Sequence, residues 1–268
     1  FTPVTGTEQL SDKSWLIKTD KGNIKTEVVI NAAGLWGREV GKMAGLDLPL
    51  LPAEHQYFVT ETIPEIESIG RRLPSIADRD GEYYLRQEGN GLLVGAYEKD
   101  VKLWAELETP SGFGHELFPD DLDRIEENVL RAISRVPVLG GAGIKRVING
   151  PMIWSPDSNA LFGPVPELDG YYLCNGIIPG FSQSGGLGEL LAEWIITGEP
   201  HLDIFSWDLA RFGTWADKKF TKSRVKDQYS NRFAIHFPNE ERSAGRPVRT
   251  RPAYSTQKEL GAVFGLNY

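Results

Sequence analysis

The chain has 268 residues, enough for about two domains of ordinary size, and 40% hydrophobic with 25% charged residues is a balance that buries a sizeable core. Acidic residues outnumber basic ones by 37 to 29, for a net charge of −8, the opposite of the balance expected of a nucleic-acid binder. One cysteine, Cys174, excludes an intramolecular disulfide and a cysteine-rich metal site, which fits a reducing compartment.

No apolar run of about 18 residues is present, so no membrane span is predicted. The chain opens Phe1-Thr2-Pro3-Val4 without methionine, basic region or apolar stretch. It is therefore expected to be a segment of a longer protein and not to begin with a signal peptide. The apolar run Val263–Tyr268 gives the same expectation for the other end.

Residues 15–19 read as a strand, and Asp20-Lys21-Gly22-Asn23 as a turn. Alternation of Ile24, Thr26, Val28 and Ile30 then predicts one continuous strand closing a hairpin and entering the interior. Asn31-Ala32-Ala33-Gly34-Leu35-Trp36-Gly37 follows. A helix comes next, with Val40, Met43 and Ala44 on one face and Gly45 as its stop. Small residues between strand and helix let a ligand approach, and the helix N-terminus offers free N–H groups to an anion. The alternative is a tight turn that binds nothing, which physics alone favours.

Residues 56–61 read as a strand. Residues 82–87 and 91–97 form a predicted hairpin around Asn90-Gly91. Alternation puts Tyr84 and Arg86 on one face of it and Tyr83 on the other. His55 precedes Gln56 and Tyr57. A histidine and a tyrosine on neighbouring strands can orient an amine or move a proton, although a lone histidine is more often structural. Asp120 or Asp121 is expected to cap a helix carrying Leu122, Ile125, Val129, Ile133 and Val136, ended by Pro137.

Residues 171–175 form a short apolar strand leading into Gly176-Ile177-Ile178-Pro179-Gly180-Phe181-Ser182-Gln183-Ser184-Gly185-Gly186. After that glycine-rich turn a helix is predicted, with Leu187, Leu190, Leu191, Trp194 and Ile195 on one face, stopped by Gly198. The turn's amides and the helix dipole suit negative charge on a bound ring or phosphate. The alternative is a helix start that needs small residues for packing. No complete G-x-G-x-x-G occurs. Cys174 reads as core, and His115, His201 and His236 are too scattered for a metal site. After His201 periodicity weakens. Residues 236–252, with three prolines and four arginines, read as an extended connector whose arginines form ion pairs or, alternatively, an anion site.

Val29-Ile30-Asn31-Ala32-Ala33-Gly34-Leu35-Trp36 resembles the FAD-dependent amine oxidoreductases of the D-amino-acid oxidase superfamily. Leu50-Leu51-Pro52-Ala53-Glu54-His55-Gln56-Tyr57, Tyr83-Tyr84-Leu85-Arg86-Gln87, Asn149-Gly150-Pro151, Ser155-Pro156-Asp157, Ala244-Gly245-Arg246-Pro247 and Gly261-Ala262-Val263-Phe264-Gly265 narrow it to the dimethylglycine and sarcosine dehydrogenase family. The resemblance implies a mixed α+β and α/β fold: part of an FAD-binding domain plus an antiparallel-sheet substrate domain. The family's N-terminal Rossmann unit and C-terminal folate-binding domain lie outside the match. The implied segments are residues 1–48 (end of the first FAD-binding segment), 49–148 (substrate domain), 149–205 (returning FAD-binding segment) and 206–268 (connector towards a further domain).

The family's chemistry implies hydride transfer from an N-methyl carbon to flavin N5, leaving an iminium. Its carbon leaves as formaldehyde or passes to folate. Val4 matches the residue beside the adenine. Ala32, Ala33, Gly34 and Trp36 match the flavin-facing turn. Ile177, Ile178, Pro179, Gly180, Phe181 and Ser182 match the stretch along the isoalloxazine. His55 and Tyr84 match catalytic positions facing the substrate, and Arg86 is a candidate carboxylate partner or, equally, pairs within the sheet. Gln183 stands where some members carry histidine, which leaves dimethylglycine and sarcosine both open. An oxidase acting on another secondary or tertiary amino acid, or a non-catalytic FAD-fold subunit, are the alternatives. The implied partner is a small N-methylated amino acid. The implied location is cytoplasmic, or the mitochondrial matrix in a eukaryote.

Overall fold

A computed structural model describes residues 1–238 and 240–265, so the end of the C-terminal apolar run lies outside the described residues. Along them the elements run β1 (Val4–Gln9), β2 (Trp15–Thr19), β3 (Ile24–Thr26), β4 (Val29–Asn31), α1 (Gly37–Met43), β5 (Leu51–Thr60), α2 (Pro64–Glu67), β6 (Ile76–Asp78), β7 (Tyr83–Glu88), β8 (Gly91–Ala96), α3 (Glu126–Arg135), β9 (Ile144–Trp154), β10 (Leu161–Pro164), β11 (Tyr171–Asn175), α4 (Gly180–Thr197), α5 (Lys218–Ser230) and α6 (Tyr254–Glu259). They form two compact units. The first comprises Phe1–His55, Lys102–Phe118 and Asn149–Thr214; the second comprises Gln56–Val101, Pro119–Ile148 and the chain from Trp215 onward.

The first unit holds two three-stranded sheets, β1-β2-β3 and β10-β11-β4. The single strand predicted over 24–30 is two strands in different sheets. Ile24–Thr26 stays with β2, whereas Val29–Asn31 pairs parallel with β11. The break has a physical cause. Thr26 Oγ1 donates to the Val28 carbonyl at 3.0 Å, and the Val29 N–H is taken by the Gly170 carbonyl at 2.8 Å. Trp15, Leu50, Leu161, Tyr171 and Leu173 form the core between these layers. Leu187, Leu190 and Leu191 of α4 pack with Ala160 and Phe162.

Two helices differ from expectation, one in where it starts and one in the face it buries. α4 already begins at Gly180, so the glycines of the supposed turn lie within the helix. Packing of its leucine face outweighs the roughly 1 kcal/mol that each glycine costs. In α1 the deepest face is Gly37, Arg38 and Gly41, while Val40, Met43 and Ala44 are only partly buried. Glycine there permits close approach: a Cβ on Gly41 would stand 2.9 Å from Leu48.

The second unit is built on a sheet of order β6-β7-β8-β5-β9. Tyr83, Leu85, Leu92, Val94 and Ala96 form one face and pack with Ile125, Ala132 and Leu139. The hairpin turn is Gly89-Asn90, since Glu88 pairs with Gly91 and Gly89 takes the positive φ. Asp121 starts the helical segment without a side-chain cap; Leu122–Ile125 is a 3-10 turn leading into α3. The sequence pattern did not predict α5. It is capped by Asp217, whose carboxylate accepts from the Phe220 N–H at 2.7 Å, and it buries Thr221, Val225 and Tyr229. The described residues of 236–252 carry no helix or strand, and two of their arginines are in ion pairs: Arg246 with Glu241 at 3.0 Å and Arg242 with Asp227 at 3.7 Å. No helix among the described residues is long and apolar enough to cross a membrane.

Candidate functional site

In the first unit, β4 and β11 are adjacent and parallel, with Leu173 opposite Asn31. Each strand turns directly into a helix at its carboxyl end, the edge of an open sheet where ligands bind in folds of this kind. After β4 the chain passes Ala32 and Ala33, makes a 3-10 turn over Gly34–Trp36 and continues as α1. After β11 it passes Gly176, Ile177, Ile178 and Pro179 and continues as α4. Gly34 (φ 55°) and Gly176 (φ 68°) take left-handed conformations that admit such sharp exits.

Two buried asparagines connect the exits. Asn175 Nδ2 donates to the Asn31 carbonyl at 2.7 Å, and Asn31 Nδ2 donates to the Gly37 carbonyl at 2.9 Å. The Asn31 side-chain oxygen accepts the Ala33 N–H at 3.2 Å. Neither residue is more than 1% exposed. Asn175 was missed from sequence, where it reads only as the last residue of an apolar strand.

Pro179 stands at the N-cap of α4, and no side chain caps that end. The first N–H groups, on Gly180 and Phe181, are thus available to an external acceptor. Ser182 Oγ turns back to the Pro179 carbonyl at 3.0 Å, and Phe181 is fully exposed. A Cβ on Gly34, Gly180, Gly185 or Gly186 would meet nothing within 4 Å. Ala32 is exposed and Ala33 half-buried. Trp36 is half-buried and donates its indole N–H to the Pro110 carbonyl at 3.1 Å. Val4 stands apart from these residues, on β1 of the other sheet, opposite Thr19 and 38% exposed.

Arg38 is a further residue that sequence reasoning passed over. It is 7% exposed and donates to the Ala105 carbonyl at 2.7 Å and to Thr109 Oγ1 at 3.3 Å, tying the loop at 105–109 to α1. Cys174, expected in the core, is only half-buried against the cluster that holds α4, and that burial raises its thiol above the ordinary pKa.

His55 ends the first of the three chain segments that make up the first unit and is half-buried on β5. Its buried neighbour Glu54 accepts from Asn149 Nδ2 at 3.3 Å and pairs with Lys102 at 3.3 Å.

Tyr84 and Arg86 belong to the second unit and share the face of β7 opposite the Tyr83 side. Tyr84 pairs with Gly95, which pairs in turn with Tyr57. The Tyr84 ring lies across β8 over Gly95, in space that a Cβ there would take. Tyr97 and Phe233 flank it, with ring centroids 6.1 and 6.3 Å away. Burial drives the phenol well above its ordinary pKa, so it keeps its proton at neutral pH. Arg86 pairs with Glu88 at 2.8 Å, and Glu88 also meets Arg146 at 3.7 Å. Glycine inside a strand marks a close approach, the one signal that could have drawn attention to Gly95.

Behind this face lies a buried acid. Glu98 is 2% exposed, lies 2.9 Å from Arg124 Nε and accepts from the Tyr229 hydroxyl at 2.9 Å. Burial pushes its carboxyl up to about 7, while Arg124 and Tyr229 pull it back down.

The turn residues of the first unit fit the flavin implied by the resemblance. The uncapped start of α4 presents N–H groups to negative charge, and the Cβ-free positions along it leave room for a flat ring. The family described as "FAD dependent oxidoreductase" matches residues 1–194, and "FAD dependent oxidoreductase central domain" matches residues 197–250. The mitochondrial dimethylglycine dehydrogenase of Mus musculus is 42% identical over 96% of this chain and 30% of its own length. The mitochondrial sarcosine dehydrogenase of Mus musculus is 37% identical over 92% of this chain and 27% of its own. This chain therefore spans about 30% of the curated relatives it matches. Among solved structures, L-proline dehydrogenase from P. horikoshii is similar with a TM-score of 0.62 and 29% identity, over 79% of this chain and 54% of that one. With its mixed α and β architecture and the family match over most of its length, the chain belongs to the FAD dependent oxidoreductase family.

Proposed function

We propose that this chain supplies flavin- and substrate-facing parts of an enzyme that oxidatively demethylates an N-methylated glycine, either dimethylglycine or sarcosine. The observation that carries the reading is the uncapped, Cβ-free start of α4 beside the Ala32–Gly34 turn. The 42% identity to a dimethylglycine dehydrogenase supports the substrate class. Bound FAD supplies a two-electron acceptor for hydride from the N-methyl carbon.

The chain's own residues do the rest. The N-terminus of α4 carries roughly half a positive charge and favours the negative charge that accompanies reduction. Ala32, Ala33 and Gly34 keep the neighbouring turn free of bulk, Trp36 walls it, and Val4 stands by the adenine. His55 holds or accepts the amine proton, because hydride loss needs a neutral nitrogen lone pair. Tyr84, protonated at neutral pH, donates a hydrogen bond to the substrate. Arg86 meets the carboxylate when it exchanges away from Glu88. The mitochondrial relatives favour the mitochondrial matrix if the source is eukaryotic.

The test uses the complete holoprotein with dimethylglycine under anaerobic conditions. His55→Ala should slow flavin reduction by about 10²–10⁴-fold if His55 moves the proton, and by less if it only orients the amine. Tyr84→Phe removes the hydroxyl and keeps the ring. If both variants reduce at the parental rate across pH, neither residue faces the substrate.

A further inference from the structure

The two strand exits are tied to each other by more than ladder pairing. Asn175, the last residue of β11, donates to the main chain of Asn31, the last residue of β4, at 2.7 Å. Asn31 in turn holds the first residue of α1 through the Gly37 carbonyl at 2.9 Å, and the Ala33 N–H through its side-chain oxygen at 3.2 Å. Gly37 is glycine because Asn175 lies against it: a Cβ there would stand 2.9 Å from Asn175 Cγ and closer still to Oδ1. Both asparagines are 1% exposed, so their hydrogen bonds are made in a region without competing water.

We propose that Asn31 and Asn175 are positioning residues whose side chains fix the spacing between the Ala32–Gly34 turn and the start of α4, with Gly37 providing the room that Asn175 needs. The inference rests on the reading that these two turns face the flavin, and it adds the device that sets their separation. An apolar pair would satisfy strand pairing equally well. The amides instead make three hydrogen bonds to main-chain atoms of the β4 exit, one of them reaching across from the end of β11, which is what register between two loops requires.

The test compares the complete holoprotein with Asn175→Ala, Gly37→Ala and the double variant, reading thermal unfolding, the visible flavin spectrum and the flavin midpoint potential. Asn175→Ala and Gly37→Ala should each alter the spectrum and move the potential negative, because each lets the start of α4 drift from the ring. The double variant should be no worse than Asn175→Ala alone, since Gly37 serves only to seat Asn175. If Asn175→Ala yields no folded protein, Asn175→Ser and Gly37→Ala carry the comparison. Folded variants with parental spectrum and potential overturn the proposal, as does a double variant showing the full sum of the two single shifts. A parental protein that holds no flavin instead overturns the reading beneath it.

Discussion

Gly180 separates a ligand-facing glycine from a structural one. It opens α4, and a Cβ there would meet nothing within 4 Å. Gly180→Val therefore creates no internal clash, and in a helix valine is a few tenths of a kcal/mol better than glycine. The expected change in stability is within about 0.5 kcal/mol. A valine at that position projects into the open space assigned to the ring, so flavin occupancy should collapse in a protein that stays folded. Gly163 on β10 is the control. It has a φ of 102°, and a Cβ there would run into the Trp194 ring. Gly163→Ala combines left-handed strain of about 1–2 kcal/mol with overpacking of about 1–3 kcal/mol. It should lower the melting temperature markedly, while the folded fraction still takes up flavin. The assay pairs thermal unfolding with flavin content per folded molecule. Full occupancy in Gly180→Val would refute the assignment of this helix start to the flavin.

Gly95→Ala places a methyl where the Tyr84 ring lies, so overpacking of about 1–3 kcal/mol is expected, with slower flavin reduction per folded molecule; a variant with normal stability shows that the ring is not seated there. For Glu98, the folded carboxyl titrates near 7 against an ordinary 4.5, so the folded state binds the extra proton and stability falls as pH rises between those values. The loss amounts to about 3 kcal/mol at most at one pKa unit per 1.36 kcal/mol, and Glu98→Gln should flatten that slope in urea titrations from pH 5 to 8.

Much of the fold was legible because it rests on strong local signals. Trp15–Thr19, the 83–96 hairpin, the α3 periodicity and the Gly198 stop need little tertiary information. α5 was missed because its buried stripe is only Thr221, Val225 and Tyr229 among lysines and arginines; the Asp217 cap was the readable cue. The start of α4 was displaced because four glycines between 180 and 188 argue against a helix until packing on Phe162 decides otherwise. The split after Thr26 depends on the Gly170 carbonyl, far along the chain, which no local pattern reveals. At the candidate site, the Ala32–Gly34 turn and the glycines and serines of 176–186 carried a signal in their small residues. Asn175, Gly95, Arg38 and Glu98 carried little, because their roles come from what folding places against them.

The most direct measurement follows the flavin colour of the complete holoprotein during anaerobic mixing with dimethylglycine, sarcosine and proline. Rapid bleaching by dimethylglycine or sarcosine, with formaldehyde released in proportion and no bleaching by proline, is the predicted result. Bleaching by proline alone, or a folded protein that carries no flavin, would contradict it.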